Sequence, residues 1–304
     1  MPHLSASSID TAGDCPKRLQ YKFTDGLFVP RKNNVASLRG SAYHKGLELY
    51  YLERMERGFF EPTDEDLDRY HVAASEEFDL LLGEIEIMWW DDTRVIAHVA
   101  RDEEGKVVPN ARSVDEADHD HEEDQCELVY EQLAHMTTVY FRGTGDQPSA
   151  VWPAEYRVIG VEHEFLSPFI PGWDKKGFID LLLVHEPTGW LVVDDHKSSG
   201  KKWDRNKHRP RKNIQGPMYV MAVKELYGDL PVEVWYSIMT PKGVFERRKS
   251  EWTNGHLQAV VDRGMETAGL LATGVPLPAN PKSNLCSPKF CQYFEICPSG
   301  QKLD

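Results

Sequence analysis

The spacing of apolar residues divides the chain into a helical first half and a second half rich in strands. Apolar residues recur every three or four positions over 5–23, 35–57, 64–82 and 122–141, so we predict four helices. Leu38, Ala42 and Leu49 illustrate the pattern, because they share one face of the second helix. Cys15-Pro16 interrupts the first helix, since proline cannot continue a helix from within.

The second half shows β-rich runs separated by turn residues. They predict strands over 151–165, 177–185, 190–196, 232–239 and 244–248, with helices over 211–227 and 251–271. This order indicates a mixed α/β core preceded by a helical region. No internal repeat is present. We expect one closed unit, comprising a mainly helical region (1–150), the mixed core (151–250) and a C-terminal helix with a cysteine-rich tail (251–304).

The composition allows a large hydrophobic core, but the net charge of the whole chain hides a local basic segment. Hydrophobic residues make up 40% of the 304 residues, and the net charge of -14 argues against coating nucleic acid or an anionic membrane through bulk charge. Eleven acidic and two basic residues lie in 102–127, however, whereas eight basic residues and one acidic residue lie in 197–212. We interpret the acidic segment as a solvated loop or helix start. The basic segment is a local cationic surface that the net charge hides.

The chain shows no apolar run long enough for a membrane helix and no secretory signal at its start. We therefore expect a soluble, cytoplasmic protein without a membrane partner. In that compartment, its five cysteines are better read as metal ligands, free thiols or redox groups than as disulfides.

Carboxylates at the ends of two adjacent strands are the strongest chemical signal. Asp180 opens one apolar run, Asp194-Asp195 end the next, and Pro187-Thr188-Gly189 forms the turn between them. A hairpin brings such carboxylates to one edge of the sheet, and burying them together is costly unless a cation neutralises them. Mg²⁺ or Mn²⁺ suits these oxygen ligands. Lys197 points to the same face as Asp195; the alternative is an ordinary ion pair that closes a strand.

The spacing Gly-x-x-Asp, about fifteen residues, then Asp-x-Lys resembles the active-site signature of PD-(D/E)xK nucleases. In that resemblance, Asp180 is the first carboxylate, and Asp195 and Lys197 form the second half. The resemblance implies a restriction-endonuclease-like fold, in which a mixed sheet carries the site.

Three further motifs resemble the RecB-like branch of that superfamily. They are Gly40 to His44 in the second helix, Val161-Glu162-His163-Glu164-Phe165 before the hairpin, and Gln215-x-x-x-Tyr219 after the lysine. The resemblance implies that His44, Asp180, Asp195 and the main-chain carbonyl of His196 hold one or two Mn²⁺ or Mg²⁺ ions. It also implies that Lys197 positions the attacking water or stabilises the phosphorane, that Gln215 orients Lys197 or the strand, and that Tyr219 and Glu162 support the ligands.

Four cysteines resemble the iron–sulfur arrangement of RecB-like nucleases, which the CRISPR-associated RecB-like exonucleases share. They are Cys15, in a Cys-Pro-x-Arg context, and Cys286, Cys291 and Cys297. This implies a 4Fe–4S cluster that clasps the two ends of the chain. The middle spacing of four residues, where two are usual in the family, keeps Zn²⁺ as the alternative, because four thiolates also satisfy zinc. Cys126 receives no role.

The basic segment after Lys197 predicts contact with DNA, since phosphate contacts and an aromatic stacking platform are what a single strand needs. The candidate DNA-binding residues are Lys201, Lys202, Trp203, Arg205, Lys207, Arg209, Arg211 and Lys212. A solvated basic loop is the alternative interpretation.

These patterns predict a metal-dependent DNA exonuclease that acts on single-stranded ends, with 5′ to 3′ as the polarity that the family implies. We expect a role in recombination, repair or spacer processing in a phage or bacterial host. The chain has no phosphate-binding P-loop motif, so any motor would be a separate helicase or recombination protein. The alternatives are a structure-selective endonuclease and a non-catalytic iron–sulfur scaffold that binds DNA.

Overall fold

The computed structural model describes residues 2–27, 33–84, 87–88, 119–200, 203, 213–288 and 290–300. The helices in these ranges are α1 (Ala6–Asp14), α2 (Pro16–Phe23), α3 (Val35–Arg57), α4 (Asp64–Glu84), α5 (His119–Arg142), α6 (Gln215–Tyr227) and α7 (Asn254–Ala272). The strands are β1 (His3–Leu4), β2 (Asn33–Asn34), β3 (Ile87–Met88), β4 (Tyr156–Ile170), β5 (Trp173–His185), β6 (Trp190–Ser198), β7 (Val232–Met239) and β8 (Phe245–Ser250). Each predicted helix and strand has a counterpart here.

The helix ends follow from local chemistry. Ser5 caps α1 through a capping box, in which its hydroxyl accepts the main-chain N–H of Ser8 and the Ser8 hydroxyl accepts that of Ser5. The predicted break falls at Cys15, and Pro16 occupies the first position of α2, where a missing N–H costs nothing. The prediction for α3 is confirmed with identical bounds. The acidic segment lies outside the described residues up to position 118, and its end forms the start of α5.

Six strands form a mixed sheet in the order β1-β5-β6-β7-β8, with β4 also paired to β5. The β6–β7 and β1–β5 pairs are parallel, and the other pairs are antiparallel. Helix α6 connects β6 to β7, as a parallel pair requires. Strand β4 begins at Tyr156, five residues later than predicted, because the main chain turns at Pro153.

Two layers cover the sheet. Leu38 and Leu47 of α3 pack with Leu181 and Val192 in one buried cluster, which also contains residues of α4 and α5. On the other face, α6 packs on Val193 and Val234. Neighbouring residues of β6 therefore point into different layers, and this alternation decides what each acidic residue of the strand contacts.

Strand β5 is longer than predicted, and the difference changes the position of Asp180. The prediction that Asp180 opens the strand is wrong, because β5 begins at Trp173 and its first residues pair with β4 and β1. On the edge opposite β4, β5 pairs with β1 at Asp174 and Lys175 and with β6 only from Leu181 onward. Among the described strands, the intervening edge has no partner. This gap in the sheet ends at Asp180.

The two ends of the chain are in contact. The Lys17 main-chain N–H donates to Pro278 O at 3.0 Å, and the Ser283 hydroxyl donates to the Asp14 carboxylate at 2.6 Å. The rings of Tyr21 and Tyr293 lie 5.3 Å apart. The C-terminal tail thus binds to α1 and α2 through the polypeptide itself. None of the described helices is both long and apolar enough to cross a membrane.

Candidate active site

Three potential metal ligands meet beside the gap in the sheet. His44 of α3, Glu162 of β4 and Asp180 of β5 each offer one donor atom, and these atoms all lie within 4.8 Å of one another. Two strands and a helix from different parts of the chain therefore converge on one point. The group combines two carboxylates with one imidazole.

An unusual backbone conformation accompanies Glu162 at this point. The pairs Val161↔Leu181 and His163↔Ile179 bracket Glu162 and place it opposite Asp180. Its φ of 44° lies in the left-handed region, which a residue with a side chain occupies only at an energetic cost. The conformation interrupts the alternation of β4. Burial and the negative charge of Glu48 on α3 raise the pKa of Glu162.

Asp180 binds the main chain of β6 as well as facing His44. The His196 main-chain N–H donates to Asp180 Oδ2 at 2.8 Å. This side-chain hydrogen bond replaces main-chain pairing at the point where β5 and β6 separate. The same oxygen is 3.7 Å from His44 Nδ1. Burial, followed by the negative charge of Asp195, raises the pKa of Asp180 to about 7. The nearby positive charge of Lys197 does not offset these two effects on the pKa of Asp180.

His44 is an uncharged imidazole. Burial and the neighbouring His196 and Lys197 lower its pKa to about 3. At neutral pH the ring therefore keeps a free lone pair, which a metal ligand requires.

Asp195 and Lys197 form a pair on the α6 side of the sheet. Asp195 is fully buried, its Oδ2 lies 2.6 Å from Lys197 Nζ, and its Oδ1 accepts the Tyr219 hydroxyl at 3.0 Å. Burial opposes the charge on Lys197, but the carboxylates of Asp195 and Asp180 outweigh it and raise the pKa of the lysine. Lys197 is therefore a protonated ammonium, exposed over 30% of its side chain.

Gln215 supports this pair through Tyr219. Its Nε2 donates to the Tyr219 hydroxyl at 2.5 Å, and that hydroxyl donates onward to Asp195. Burial and the charge of Asp195 raise the pKa of Tyr219 well above its usual range, so the phenol stays a donor. Gln215 therefore contacts Lys197 only indirectly, through Tyr219 and Asp195.

Comparison with known proteins identifies the family. The family model described as the PD-(D/E)XK nuclease superfamily matches residues 3–298, nearly the whole chain. The chain belongs to this nuclease superfamily. It is a hydrolytic nuclease whose superfamily acts on DNA with divalent metals such as Mg²⁺ or Mn²⁺, and its mixed sheet with seven described helices fits the restriction-endonuclease-like fold.

One solved structure and the curated proteins complete the comparison. A crystal structure from Eubacterium rectale, described provisionally as an exonuclease, is similar with a TM-score of 0.44 and 13% identity, covering 93% of this chain and 86% of that chain. None of the curated proteins matches the chain.

The donor set of this nuclease fits a divalent cation. Glu162, Asp180 and Asp195 bring three carboxyl groups to one region, where Lys197 contacts Asp195 and where the charges of Asp180 and Glu162 also act on its ammonium. A divalent cation would supply the missing positive charge. Oxygen ligands suit Mg²⁺ and Mn²⁺, and the His44 imidazole is a softer ligand that favours Mn²⁺. Asp195 lies outside this group of three, and its two oxygens face the Tyr219 hydroxyl and the Lys197 ammonium.

The side chain of His196 lies in the helical layer, where its ring also makes an edge contact with the ring of His44, with centroids 6.0 Å apart. Its Nε2 lies 3.6 Å from Asp194 Oδ2, and its ring stacks on Tyr51 with centroids 6.0 Å apart. The main-chain N–H of His196 is the group that hydrogen-bonds Asp180. A metal contact through the His196 carbonyl stays a prediction.

Asp194 is the centre of a buried network that the sequence did not reveal. Its Oδ2 accepts the Trp152 indole N–H at 2.6 Å and the Ser237 hydroxyl at 2.8 Å, and it lies 3.8 Å from Arg247. The network joins β6, β7 and β8 with the segment before β4. The pair Asp194-Asp195 was the sequence feature that could have indicated it. Neighbouring side chains of a strand point to opposite faces of the sheet, so only one of the two aspartates can face the active site.

The four candidate cysteines line one pocket. Cys15, Cys286, Cys291 and Cys297 surround it together with Tyr21 and other side chains of both chain ends. Among the described residues, no three cysteine sulfurs form a compact group like that of His44, Glu162 and Asp180. The ligand set of a single metal ion is therefore not assembled there. Cys126 is half-buried against the helical layer.

The basic segment lies largely outside the described residues. This holds for Lys201, Lys202, Arg205, Lys207, Arg209, Arg211 and Lys212. Trp203 is described, and its partly buried ring packs against the α6-side cluster 5.7 Å from the ring of Tyr236. This packing covers part of the surface that a stacking platform would offer.

We predict that Asp194→Ala lowers the free energy of unfolding by about 3–5 kcal/mol, because it leaves the Trp152 indole and the Ser237 hydroxyl without their buried acceptor and Arg247 without its counter-charge. Urea denaturation followed by circular dichroism measures the change. Asp229→Ala is the matched control. Asp229 also forms an ion pair, with Lys224, but its side chain is exposed to water. Equal stability of the two variants would contradict a structural role for the network.

Proposed function

We propose that this nuclease is a metal-dependent exonuclease that hydrolyses DNA from single-stranded ends. The observation that carries the proposal is the position of the His44–Glu162–Asp180 group beside the Asp195–Lys197 pair. One side of the site offers ligands to a cation, and the other offers a protonated lysine. Phosphodiester hydrolysis needs both features, because negative charge develops on the phosphate as water attacks.

His44, Glu162 and Asp180 would hold the catalytic ion, Mn²⁺ or Mg²⁺, with Asp195 and the His196 carbonyl as further ligands. When bound, such an ion would lower the pKa of a water molecule and neutralise charge on the phosphate. Glu162 thus moves from the supporting role expected of it to a ligand role. The support for this assignment is that its carboxylate reaches the donor atoms of His44 and Asp180.

Lys197 would position the attacking water or stabilise the phosphorane. Its ammonium is fixed 2.6 Å from Asp195 and yet exposed enough to face a substrate. The raised pKa supports an electrostatic role, since a protonated lysine cannot act as a base. Tyr219 and Gln215 would hold Asp195, and through it Lys197, in place.

The basic residues after Lys197 would bind the DNA backbone through their positive charge. We propose a single strand as substrate, 5′ to 3′ polarity, a cytoplasmic setting in a phage or its bacterial host, and a separate helicase or recombination protein as partner. The one closed unit proposed for the chain is supported by the hydrogen bonds between its two ends.

We also propose a 4Fe–4S cluster in the pocket of Cys15, Cys286, Cys291 and Cys297, with Zn²⁺ as the alternative. The common pocket supports a shared ligand. The loose arrangement of the sulfurs favours the cluster, because a cubane binds each cysteine through a different iron, whereas zinc gathers four sulfurs around one ion. The cluster would reinforce the contact between the chain ends.

We predict that Lys197→Ala lowers Mn²⁺-dependent degradation of end-labelled linear single-stranded DNA at least about a hundred-fold, the usual cost of losing one group that stabilises developing charge. Saturating Mn²⁺ separates this loss from an effect on metal binding. Lys224→Ala is the matched control, because Lys224 lies on α6 and pairs with Asp229 at the surface. Undiminished cleavage by a folded Lys197→Ala protein would refute the mechanism.

We expect the protein to degrade linear single-stranded DNA and to leave circles of the same sequence intact, because an exonuclease needs a free end. Gel electrophoresis of the two substrates under identical metal conditions measures the difference. If circles are cut as fast as linear strands, the structure-selective endonuclease is the correct function.

We expect anaerobically purified protein to be brown and to contain iron and sulfide in stoichiometric amounts. Cys291→Ser should lose the iron, whereas Cys126→Ser should retain it, because Cys126 lies outside the pocket. Elemental analysis measures both. A colourless protein with stoichiometric zinc would show that the four cysteines bind Zn²⁺ and not an iron–sulfur cluster.

A further inference from the structure

We propose that Phe178 stacks on a nucleobase of the bound strand, next to the phosphate that is hydrolysed. The inference rests on the proposed function, because it takes a DNA strand at the His44–Glu162–Asp180 group as given. It assigns a substrate-binding role to a variable position of the Gly-x-x-Asp motif, between Gly177 and Asp180.

Phe178 lies beside the metal group. It precedes Asp180 by two residues on β5, and its cross-strand partner Glu164 follows Glu162 by two residues on β4. Two residues of a strand span about 7 Å. A nucleotide whose phosphate contacts the metal group therefore has its base within reach of the Phe178 ring.

The direction of the Phe178 side chain follows from its neighbours. Gly177 faces the buried Phe165, since a Cβ on Gly177 would lie 2.6 Å from the Phe165 ring. Phe165 belongs to the cluster on the α6 side of the sheet. Because side chains alternate along a strand, Phe178 points to the opposite face. The ion pair between Lys176 and Glu164, 2.8 Å long, lies on that same face.

The α3 helix also lies toward this face at the site. The charges of Glu48 and Lys45 on α3 act on Glu162, and His44 faces Asp180. Phe178 is therefore on the side of the sheet from which the metal group is reached. The edge of β5 beside it is the stretch without a strand partner among the described strands.

Phe178 keeps about half of its apolar surface exposed to solvent. Its exposed fraction is 49%, and that of Leu166, on the same face of the hairpin, is 58%. A scattered exposed apolar residue needs no explanation, but Phe178 lies two residues from Asp180 of the proposed metal group. By contrast, the aromatic residues Tyr219, Tyr51 and Tyr140 around the site are buried.

A nucleobase is the occupant that the surroundings favour. Stacking on an aromatic ring tolerates every base, and it is available to unpaired bases, whereas the bases of a duplex are already stacked and enclosed. A stacking residue at the site therefore favours single strands independently of the basic segment. Trp203, the aromatic residue that the sequence suggested for this task, packs on the core instead.

The test compares oligonucleotides with and without bases at the cleaved end. For the wild-type protein, we expect abasic residues there to raise KM about ten-fold, because the stacking contact is lost. Phe178→Ala should raise KM by a similar factor on normal DNA, with little change in kcat, and should no longer distinguish the abasic strand. Phe178→Trp should restore the preference. Phe59→Ala, which removes an exposed ring beyond the end of α3, should behave as wild type.

Each outcome decides the inference. Equal KM of the wild-type protein for normal and abasic ends would overturn it without any variant. So would a folded Phe178→Ala protein that still prefers normal ends. If the wild-type protein cleaves neither strand, the proposed function fails, and fluorescence anisotropy with the same oligonucleotides then tests stacking through binding alone. Weaker binding of the abasic strand supports the role of Phe178, and equal binding refutes it.

Discussion

The site depends on the repulsion between carboxylates that the fold places side by side. Asp180 and Asp195 lie at a point where β5 and β6 diverge, and burial together with their mutual repulsion raises the pKa of Asp180 to about 7. The protein offsets this cost in part through Lys197 and through the main-chain N–H of His196. The remaining deficit of positive charge is what a divalent cation satisfies. The metal affinity proposed for the site would thus be a consequence of how the sheet is built.

Strand β6 connects this chemistry to the rest of the fold because its two faces have different tasks. Asp195 and Lys197 face the α6 side and form the charged pair of the site. Asp194 and His196 face the helical layer, where Trp152 and Ser237 hydrogen-bond the Asp194 carboxylate. The buried network on one face holds the strand whose other face presents the reactive groups. A substitution in the network would therefore affect stability first.

The sequence predicted the helices and strands well because their patterns are local. The bounds of α3 were correct, and the break at Cys15-Pro16 follows from proline alone. The errors arose where pairing rather than side-chain pattern decides. Strand β5 extends back to Trp173 because β1 and β4 supply main-chain partners, and no alternation of apolar residues signals that. Asp180 consequently lies inside the strand.

For the site, the sequence by itself determined that Asp195 and Lys197 share one face, since the two-residue period of a strand requires it. The order of the motifs also indicated the PD-(D/E)XK nuclease superfamily, and the match of the family model over residues 3–298 confirms that superfamily. Only the tertiary structure decided that Glu162 joins His44 and Asp180, that Asp195 pairs with Lys197 and Tyr219, and that Phe178 stays exposed beside them. These contacts join segments far apart in the chain, and they depend on a left-handed backbone at Glu162 and on a gap between strands. Neither feature has a periodic signature in a sequence, because both result from where other segments pair and pack.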